Sequence, residues 1–384
     1  MTNEVKKVPQ LRFPNFGGEW EEKQLGDVTK TNQGLQIAIS DRKTKYEKGL
    51  YFYITNEFLR PNSQTKYYIE KPPESVVAEK SDILMTRTGN TGKVITNVEG
   101  AFHNNFFKIK YNKSIIDRLF LFELLKSPKI NNKFLSLAGT STIPDLNHSD
   151  FYSVYISFPT ISEQQKISTF FSKLDRQIEL EEQKLEKLKE QKKGYMQKIF
   201  SQELRFKDES GNEYPEWEEK KLFDVVKYLS SKRSSNYYSE DIIHGQYPVY
   251  DAVQEISRDT NFDIEESYIS ILKDGAGVGR LNLRPGKSSV IGTMGYLLPQ
   301  NIDIKFLFYY LKTMNFNRFV IGSTIPHLYF KDYSKETLLI PIDKSEQIKI
   351  GSFFIKLDRI INNKAKKIKV LKQRKQGFLQ KMFV

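Results

Sequence analysis

The sequence predicts an α+β fold, in which two globular bodies with mixed or antiparallel sheets are separated by two long helices forming an antiparallel coiled coil. Residues 162–200 return at residues 345–383, a shift of 183 positions, with 20 of the 39 residues identical. The stretch ahead of each copy is divided into short strand-like runs by turn residues. A repeat of this length indicates a structural unit that occurs twice, as a pseudo-twofold internal repeat.

The two repeated segments have the pattern of helices in a coiled coil. Each opens with a serine, Ser162 or Ser345, at which we expect the N-cap, and Ser162 with Gln165 fits a capping box. Apolar residues then recur at alternating steps of three and four, interrupted by charged residues at the same two places in each copy. The seam comprises Phe171, Leu174, Ile178, Leu185 and Leu188 in the first copy and Phe354, Leu357, Ile361, Ile368 and Leu371 in the second.

Charge indicates that the two helices pair with each other. From Arg176 to Phe200 the first helix carries five glutamates among its lysines. From Arg359 onward the second helix has no acidic residue and nine lysines or arginines. Like charges beside a seam repel, so a mixed helix and a basic helix should prefer each other to their own copies. The alternative is two separate helices, each packed on its own body.

Shorter repeated motifs flank the two bodies. The motif EWEEKQLGDV at 19–28 returns as EWEEKKLFDV at 216–225, and STIPDL at 141–146 returns as STIPHL at 323–328. We therefore expect four segments, with bounds 1–160, 161–203, 204–343 and 344–384. Between the motifs the bodies share little sequence, which predicts one scaffold that carries two different recognition surfaces.

Within each body, strands are expected first and an apolar helix near the end. Strand-like runs occur at 50–55, 82–87, 92–96 and 102–111 in the first body and at 247–253, 267–273, 279–284 and 288–298 in the second. The expected helices are 115–127, which should stop at Pro128, and 304–314.

Composition points to a polyanionic partner. The chain of 384 residues has 60 lysines and arginines against 47 aspartates and glutamates, a net charge of +13. Nucleic acid is favoured over a membrane because no long apolar span is present. The absence of cysteine excludes disulfides and thiolate zinc sites. The first ten residues lack the apolar core of a signal peptide, so a cytoplasmic location is expected.

The catalytic and nucleotide-binding motifs that parts of the sequence resemble are incomplete. The run DGAGVG at 274–279 resembles a nucleotide-binding fingerprint, but the residues that follow alternate like a strand and include Pro285, so no helix receives a pyrophosphate. The triplet GKS at 286–288 would need a glycine where Leu281 stands to complete a P-loop. The four histidines have no metal-ligand spacing. We therefore expect a non-catalytic chain without a metal site.

Basic and polar residues suited to DNA cluster in the loops of both bodies. Lysine and arginine hold phosphates, and arginine and asparagine pair with base edges. The candidates are Arg42, Lys43, Lys45, Arg60, Lys66, Arg87, Thr88, Asn90 and Lys93 in the first body, and Lys232, Arg233, Lys273, Arg280, Arg284 and Lys287 in the second. Any one of them alone is more simply read as a solvated surface residue. We predict that Arg87→Ala weakens DNA binding.

The order of EWEEKQLGDV, the STIP segment and the SEQQKI helix, each with its second copy, resembles the specificity (S) subunit of a type I restriction-modification system, the HsdS family. The resemblance covers essentially the whole chain. It implies that 1–160 and 204–343 are target-recognition domains, each for one half of a bipartite asymmetric DNA site, with the helices as spacer. It also implies two methylation subunits and restriction/translocase subunits as partners, in a bacterial or archaeal cytoplasm.

The resemblance further implies that S-adenosylmethionine, ATP and Mg²⁺ are bound by the partner subunits and that this chain binds no cofactor. Adenine methylation and DNA cleavage would then be the partners' reactions, directed by this chain. Two alternatives stay open. One is a self-contained methyltransferase or nuclease, and the other is an architectural coiled-coil adaptor without sequence preference.

Overall fold

The computed structural model describes residues 7–60, 63–139, 143–234 and 245–384. The chain divides into two compact units, of which unit 1 comprises Met1–Glu181 with Lys367–Val384 and unit 2 comprises Glu182–Lys366. Helices and sheets occur together in both units, and the sheets are antiparallel or mixed. This confirms the predicted α+β fold class.

The body of unit 1 is built around two four-stranded sheets. Its helices and strands, in chain order, are β1 (Glu21–Gln24), α1 (Leu25–Val28), β2 (Thr29–Gln33), β3 (Leu50–Ile54), β4 (Tyr67–Glu70), β5 (Val77–Ala78), β6 (Ile83–Thr86), β7 (Val94–Ile95), β8 (Gly100–Phe102), β9 (Phe106–Tyr111), α2 (Arg118–Lys126), α3 (Pro128–Leu137), α4 (His148–Ser153), β10 (Tyr155–Phe158) and the long helix α5 (Ile161–Phe200). Strands β2, β9, β6 and β7 form, in that order, an antiparallel sheet. Strands β4, β3, β8 and β5 form a mixed sheet, in which β3 and β8 are parallel.

The antiparallel sheet of unit 1 is the middle of three layers. Alternate residues of a strand point to opposite faces of its sheet. Accordingly Ile83 and Met85 of β6 enter the core formed with the helices, whereas Leu84 enters the core shared with the mixed sheet. Because both faces are covered, all four residues of β6 are buried.

Unit 2 repeats this arrangement with different residues. Its elements are β11 (Trp217–Lys221), α6 (Leu222–Val225), β12 (Val226–Ser230), β13 (Tyr247–Tyr250), β14 (Glu255–Asp259), β15 (Tyr268–Leu272), β16 (Leu281–Arg284), β17 (Ser289–Val290), β18 (Met294–Pro299), α7 (Ile304–Leu311), β19 (Val320–Ile321), β20 (His327–Leu328), α8 (Phe330–Tyr333), β21 (Thr337–Pro341) and the long helix α9 (Lys344–Lys381). Strands β12, β18, β15 and β16 form the antiparallel sheet. Ile269 and Ile271 of β15 face the helices, and Tyr268 and Leu272 face the second core.

Two local predictions in the bodies are wrong, because the run 102–111 contains the end of β8, a turn and β9, and 288–298 likewise contains β17 and β18. The helix expected over 115–127 does stop before Pro128, since α2 ends at Lys126 with Ser127 as its C-cap. A new helix, α3, then begins at Pro128. Proline is accepted at the first position of a helix because its missing N–H would have no intrahelical partner there.

The long helices match the repeated stretches 162–200 and 345–383 to within two residues, but their caps differ from the predicted ones. The predicted serine caps are wrong, because Ser162 and Ser345 lie inside the first turn. In α9 the carboxylate of Asp343 accepts a hydrogen bond of 2.7 Å from the backbone N–H of Ser345. In α5 the carbonyl of Thr160 accepts from the backbone N–H of Gln164 at 3.0 Å. An aspartate is as good an N-cap as a serine.

Within each unit the two long helices run antiparallel. In unit 1, Phe171 stacks on Phe383 with ring centroids 5.8 Å apart, and in unit 2 the equivalent residues Phe354 and Phe200 stack at the same distance. Further along unit 1, Asp175 meets Lys375, so residue numbers rise along α5 as they fall along α9. None of the ten predicted seam residues is exposed: Phe171, Leu174, Ile178, Leu185, Leu188, Phe354, Leu357, Ile361, Ile368 and Leu371.

A charged interruption of the seam in unit 1 is a buried ion pair that reaches into the body. The side chain of Lys375 is only 9% exposed, and its Nζ lies 2.6 Å from Asp175 of α5 and 3.2 Å from Glu123 of α2. Burial opposes the charge on Lys375, but the two carboxylates outweigh it and raise the lysine's pKa. One lysine thus ties α9 to both α5 and α2.

The equivalent interruption in unit 2 has one carboxylate instead of two within the described part of the chain. The Nζ of Lys192 lies 2.5 Å from Asp358 of α9. The second carboxylate oxygen of Asp358 accepts a hydrogen bond from the hydroxyl of Tyr309 of α7. Burial together with the Asp358 contact raises the pKa of Tyr309. A tyrosine hydroxyl therefore takes the place that Glu123 has in unit 1.

The first turn of each long helix holds a buried glutamate that anchors the segment ahead of its body. Arg12 donates two hydrogen bonds to Glu163, and Arg205 donates two to Glu346. The indole N–H of Trp217 also donates to Glu346, at 3.1 Å. Its counterpart in unit 1 is Trp20, whose buried indole nitrogen has no hydrogen-bond partner among the described residues.

We predict that Trp217→Phe destabilises the protein more than Trp20→Phe. Both variants lose similar ring contacts, but only the first removes a hydrogen bond to a buried carboxylate, which is worth about 1.5–3 kcal/mol. Guanidinium unfolding followed by circular dichroism measures the difference. Equal losses of stability in the two variants would contradict the prediction.

Candidate nucleic-acid interface

Two glycine-containing loops occupy the same place in the two antiparallel sheets. Glycine loop 1, residues 87–93, joins β6 to β7, and glycine loop 2, residues 273–280, joins β15 to β16. Both loops use the left-handed backbone region, in which Asn90 has φ +58° and Gly275 has φ +97°. Side chains are disfavoured in this region, which explains the glycine content of both loops.

Glycine loop 1 is docked on the end of the STIPDL segment. The backbone N–H of Leu146 donates to the carbonyl of Arg87 at 2.9 Å, and the hydroxyl of Thr91 donates to the carbonyl of Pro144 at 2.8 Å. The Arg87 guanidinium lies 2.5 Å from the Asp145 carboxylate. Ser141 and Thr142 of this segment lie outside the described residues.

Glycine loop 2 is docked on STIPHL in the same way. The backbone N–H of Leu328 donates to the carbonyl of Lys273 at 2.8 Å, which repeats the Leu146 contact of unit 1. The N–H of Gly275 donates to the carbonyl of Pro326 at 2.9 Å. Both loops therefore lie against the same motif of the repeated frame, although the bodies around them differ in sequence.

We call the contact of each glycine loop with its STIP segment a junction. Both junctions contain a carboxylate, but it lies on the STIP segment in unit 1 and on the glycine loop in unit 2. In unit 1 a β-bridge joins Thr88 to Asp145, and the Thr88 hydroxyl donates to the carboxylate. In unit 2 the matching bridge joins Asp274 to His327, and the ring Nδ1 lies 2.7 Å from the carboxylate. Each junction thus has one carboxylate, one hydroxyl or imidazole that hydrogen-bonds to it, and one cation from the loop, Arg87 or Lys273.

The carboxylate in unit 2 is held in its ionised form. Partial burial would raise the pKa of Asp274, but hydrogen bonds from Lys273 and His327 outweigh the burial and lower that pKa. Stacking adds to the junction, because the His327 and Tyr329 rings lie 17° from parallel with centroids 6.2 Å apart.

Several predicted residues of unit 1 gather near glycine loop 1. Thr88 and Asn90 belong to the loop, and Lys93 Nζ donates to the Leu59 carbonyl at 3.1 Å, next to Arg60. Arg60 itself pairs with Glu57. The remaining predicted residues of this body lie in the segments that lead into two strands of the mixed sheet, namely Arg42, Lys43 and Lys45 before β3 and Lys66 before β4.

Arg42 differs from its neighbours because it is built into the fold. Its guanidinium donates to the carbonyl of Ile37 and lies 5.3 Å from the Tyr53 ring centroid and 5.4 Å from that of Tyr67. Lys43, Lys45 and Lys66 are exposed. The three lysines are accordingly better placed than Arg42 to reach a phosphate.

The predicted residues of unit 2 fall into three groups. Arg233 pairs with Asp259 and Asp263, and Arg284 donates to the Asp251 carbonyl and lies 4.2 Å from the Tyr250 ring centroid. Burial lowers the pKa of Arg284. These two arginines support the fold, and Lys273 belongs to the junction. The exposed group is Lys232, Arg280 and Lys287, of which Lys287 faces Glu265 at 3.8 Å.

Sequence reasoning missed the residues that position the loops. Asp145, Asp274 and His327 carry no DNA-binding signal by themselves, since two are acidic. The usable signal was the echo of STIPDL in STIPHL, in which Asp145 and His327 occupy the same place. Among the described residues no group of three or more metal-ligating side chains occurs, and no helix is long and apolar enough to cross a membrane.

A family model for the type I restriction modification DNA specificity domain matches residues 17–190 and 214–373. The chain belongs to this family. The two matches of the specificity domain fall on the two copies of the repeat, each covering one body and most of the long helix that follows it. The family assignment makes the chain a specificity component rather than a catalytic one, as the sequence predicts.

Individual relatives agree with the specificity-domain assignment. The MjaVIII type I restriction enzyme specificity subunit of Methanocaldococcus jannaschii is 28% identical over 411 aligned positions, which cover 97% of this chain and 93% of the relative. The crystal structure of a type I S subunit from M. genitalium has a TM-score of 0.67 at 19% identity, covering 98% of this chain and 99% of that one.

A second solved structure shares the fold. It comes from work on complex assembly and conformational transition of the type I restriction-modification system, and it has a TM-score of 0.52 at 17% identity, covering 94% of this chain and 96% of that one. At these identities the two solved structures establish the fold of a specificity subunit for this chain.

Proposed function

We propose that this chain recognises a bipartite, asymmetric DNA site and directs adenine methylation or cleavage by partner subunits. The observation that carries the proposal is the repeated junction of glycine loop and STIP segment on two bodies whose other residues differ. A repeated frame with unlike surfaces suits the recognition of two unlike half-sites. The net charge of +13 and the exposed lysines suit the phosphate contacts that supply much of DNA affinity.

The proposal assigns a role to each segment. Residues 1–160 and 204–343 are the target-recognition domains, and residues 161–203 and 344–384 are the spacer that sets the unread gap between half-sites. The exposed cations Lys43, Lys45, Lys66, Lys232 and Arg280 are the first candidates for DNA contact. Arg87 and Lys273 act from the two junctions.

The partners and cofactors follow from the family. We propose double-stranded DNA, two methylation subunits and restriction/translocase subunits as partners, in the cytoplasm of a bacterial or archaeal cell. S-adenosylmethionine, ATP and Mg²⁺ would be bound by those subunits. This chain would contribute the choice of sequence.

We predict that exchanging residues 14–160 for the corresponding body of another family member changes one half-site and preserves the other. The measurement is long-read methylation mapping of cells that carry this chain with its methylation subunit. The wild-type chain should produce a bipartite adenine mark with a fixed unread gap, absent from cells lacking the chain.

Two outcomes would contradict the proposal. A change in both half-sites after the exchange would refute one body for each half. No mark from the wild-type chain, with both proteins expressed and associated, would favour the architectural adaptor.

A further inference from the structure

Comparison of the two junctions shows which functional groups are common to both. Across the repeat, Thr88 opposite Asp145 is replaced by Asp274 opposite His327. The carboxylate lies on the STIP segment in unit 1 and on the glycine loop in unit 2, and the hydroxyl or imidazole that hydrogen-bonds to it lies on the opposite segment. The bridge therefore retains one carboxylate and one hydrogen-bonding partner, without regard to which segment supplies each.

We propose that Asp145 and Asp274 are positioning residues for DNA recognition, each holding its glycine loop in the conformation that meets one half-site. The inference rests on the proposed function. Neither carboxylate contacts DNA in this proposal, and each acts through the loop that it fixes.

The contacts of glycine loop 1 show how the carboxylate acts. One oxygen of Asp145 accepts from Thr88, and the other faces the guanidinium of Arg87. The Arg87 guanidinium also donates from Nε to the Leu146 carbonyl at 3.2 Å and lies 5.6 Å from the Phe107 ring centroid. The arginine is held from three sides, so its conformation is fixed before any ligand arrives.

The rest of glycine loop 1 is held as firmly as Arg87. The amide of Asn56 donates to the Thr88 carbonyl at 2.9 Å, and the amide of Asn131 donates to the Gly92 carbonyl at 2.7 Å. Asn90, at the tip, is exposed with a left-handed backbone. The loop thus presents an exposed tip from a fixed base. A preorganised loop binds more tightly than a mobile loop, because no free energy is lost in ordering it on binding.

The positioning role and the charge alone predict opposite changes in DNA affinity for the same substitution. Asp145→Asn removes a negative charge beside a polyanion, so a purely electrostatic account expects tighter binding. If the carboxylate positions the loop, the same variant binds its target more weakly. The sign of the change therefore distinguishes the two accounts.

The experiment uses the full chain in complex with its methylation subunits, and a duplex carrying the mapped target beside an unrelated duplex. We expect Asp145→Asn to lower affinity for the target about tenfold, the effect of one or two side chains that must be ordered on binding, with no loss on the unrelated duplex. Methylation mapping should show relaxed sequence preference in one half-site. Asp274→Asn should relax the other half-site instead.

Two further variants complete the test. Asp150→Asn removes the same charge from α4, where the carboxylate makes no ion pair with a described residue, and it should leave target affinity unchanged. Thr88→Asp with Asp145→His copies the unit 2 junction into unit 1 and should restore affinity for the original target. Thermal unfolding of each complex shows whether a loss of binding reflects loss of the fold.

The outcomes separate this inference from the proposed function. Target affinity that stays equal or rises in Asp145→Asn would overturn the positioning role while leaving the specificity function intact. A double exchange that changes the recognised bases, rather than restoring the original site, would make Asp145 a base-reading residue and also overturn the inference. A wild-type complex that does not distinguish the two duplexes would overturn the proposed function itself.

Discussion

Replacing Lys375 by methionine is expected to destabilise unit 1 by about 3 kcal/mol, because removing one partner of a buried ion pair leaves uncompensated charge. The lysine side chain is 9% exposed and faces two carboxylates, Asp175 and Glu123. Methionine keeps the length and packing of the aliphatic stem, so the loss reports the charge. The Glu123 carboxylate is 4% exposed and, among the described residues, would keep Lys126 as its one remaining cation.

The matched control for this prediction is the equivalent residue of the repeat. Lys192→Met should cost less, because it leaves a single carboxylate of the described residues, Asp358, without its cation, and the hydroxyl of Tyr309 still donates to that carboxylate. Chemical unfolding monitored by circular dichroism gives both values. If the two substitutions cost the same, the second carboxylate of unit 1 has no energetic role.

Phe354→Ala is expected to destabilise unit 2 by about 3–5 kcal/mol, the range for truncating a fully buried phenylalanine. The ring is completely buried, stacks on Phe200 of α5 and lies 5.0 Å from the Tyr309 ring centroid of α7. Its removal therefore leaves a cavity where the helix pair meets the body. Scanning calorimetry of the full chain should show a transition at lower temperature.

Two matched variants show whether the loss of stability in Phe354→Ala comes from the buried position of the ring. Phe171→Ala makes the same change at the equivalent position of unit 1, where the partner ring is Phe383, and it should cost a similar amount. Ile360→Ala, on the exposed face of α9 at 47% exposure, should change stability by about 0.5 kcal/mol or less. A large effect of the exposed substitution would show that the helix face is covered in solution.

The sequence predicted the long helices well because their signal is repeated and periodic. Twenty identities in register, and a heptad pattern interrupted at the same two places in both copies, leave few alternatives to a helix. The bodies were harder, since a strand boundary depends on turns such as 103–105, where the chain reverses between β8 and β9. The helix before Pro128 ends there as predicted, but the sequence did not predict that α3 begins at Pro128, because proline is also accepted at the first position of a helix.

For the candidate site, the sequence predicted the location of the loops better than the roles of individual residues. Arg233 and Arg284 looked like free cations, yet folding brings carboxylates to the first and an aromatic ring to the second. Asp145 and Asp274 were not recognised, because the contact of each loop with its STIP segment joins residues more than 50 positions apart. The DNA-contact assignments stay predictions.

The division of each long helix between two units has a consequence for synthesis on the ribosome. Unit 2 spans Glu182–Lys366 without a break, so all of it leaves the ribosome before Lys367–Val384 does. The first 181 residues emerge earlier but need Lys367–Val384, including the Lys375 contact with Asp175 across 200 positions of chain. The part translated first is therefore completed last, and its apolar surface for α9 stays uncovered until the final helix leaves the exit tunnel.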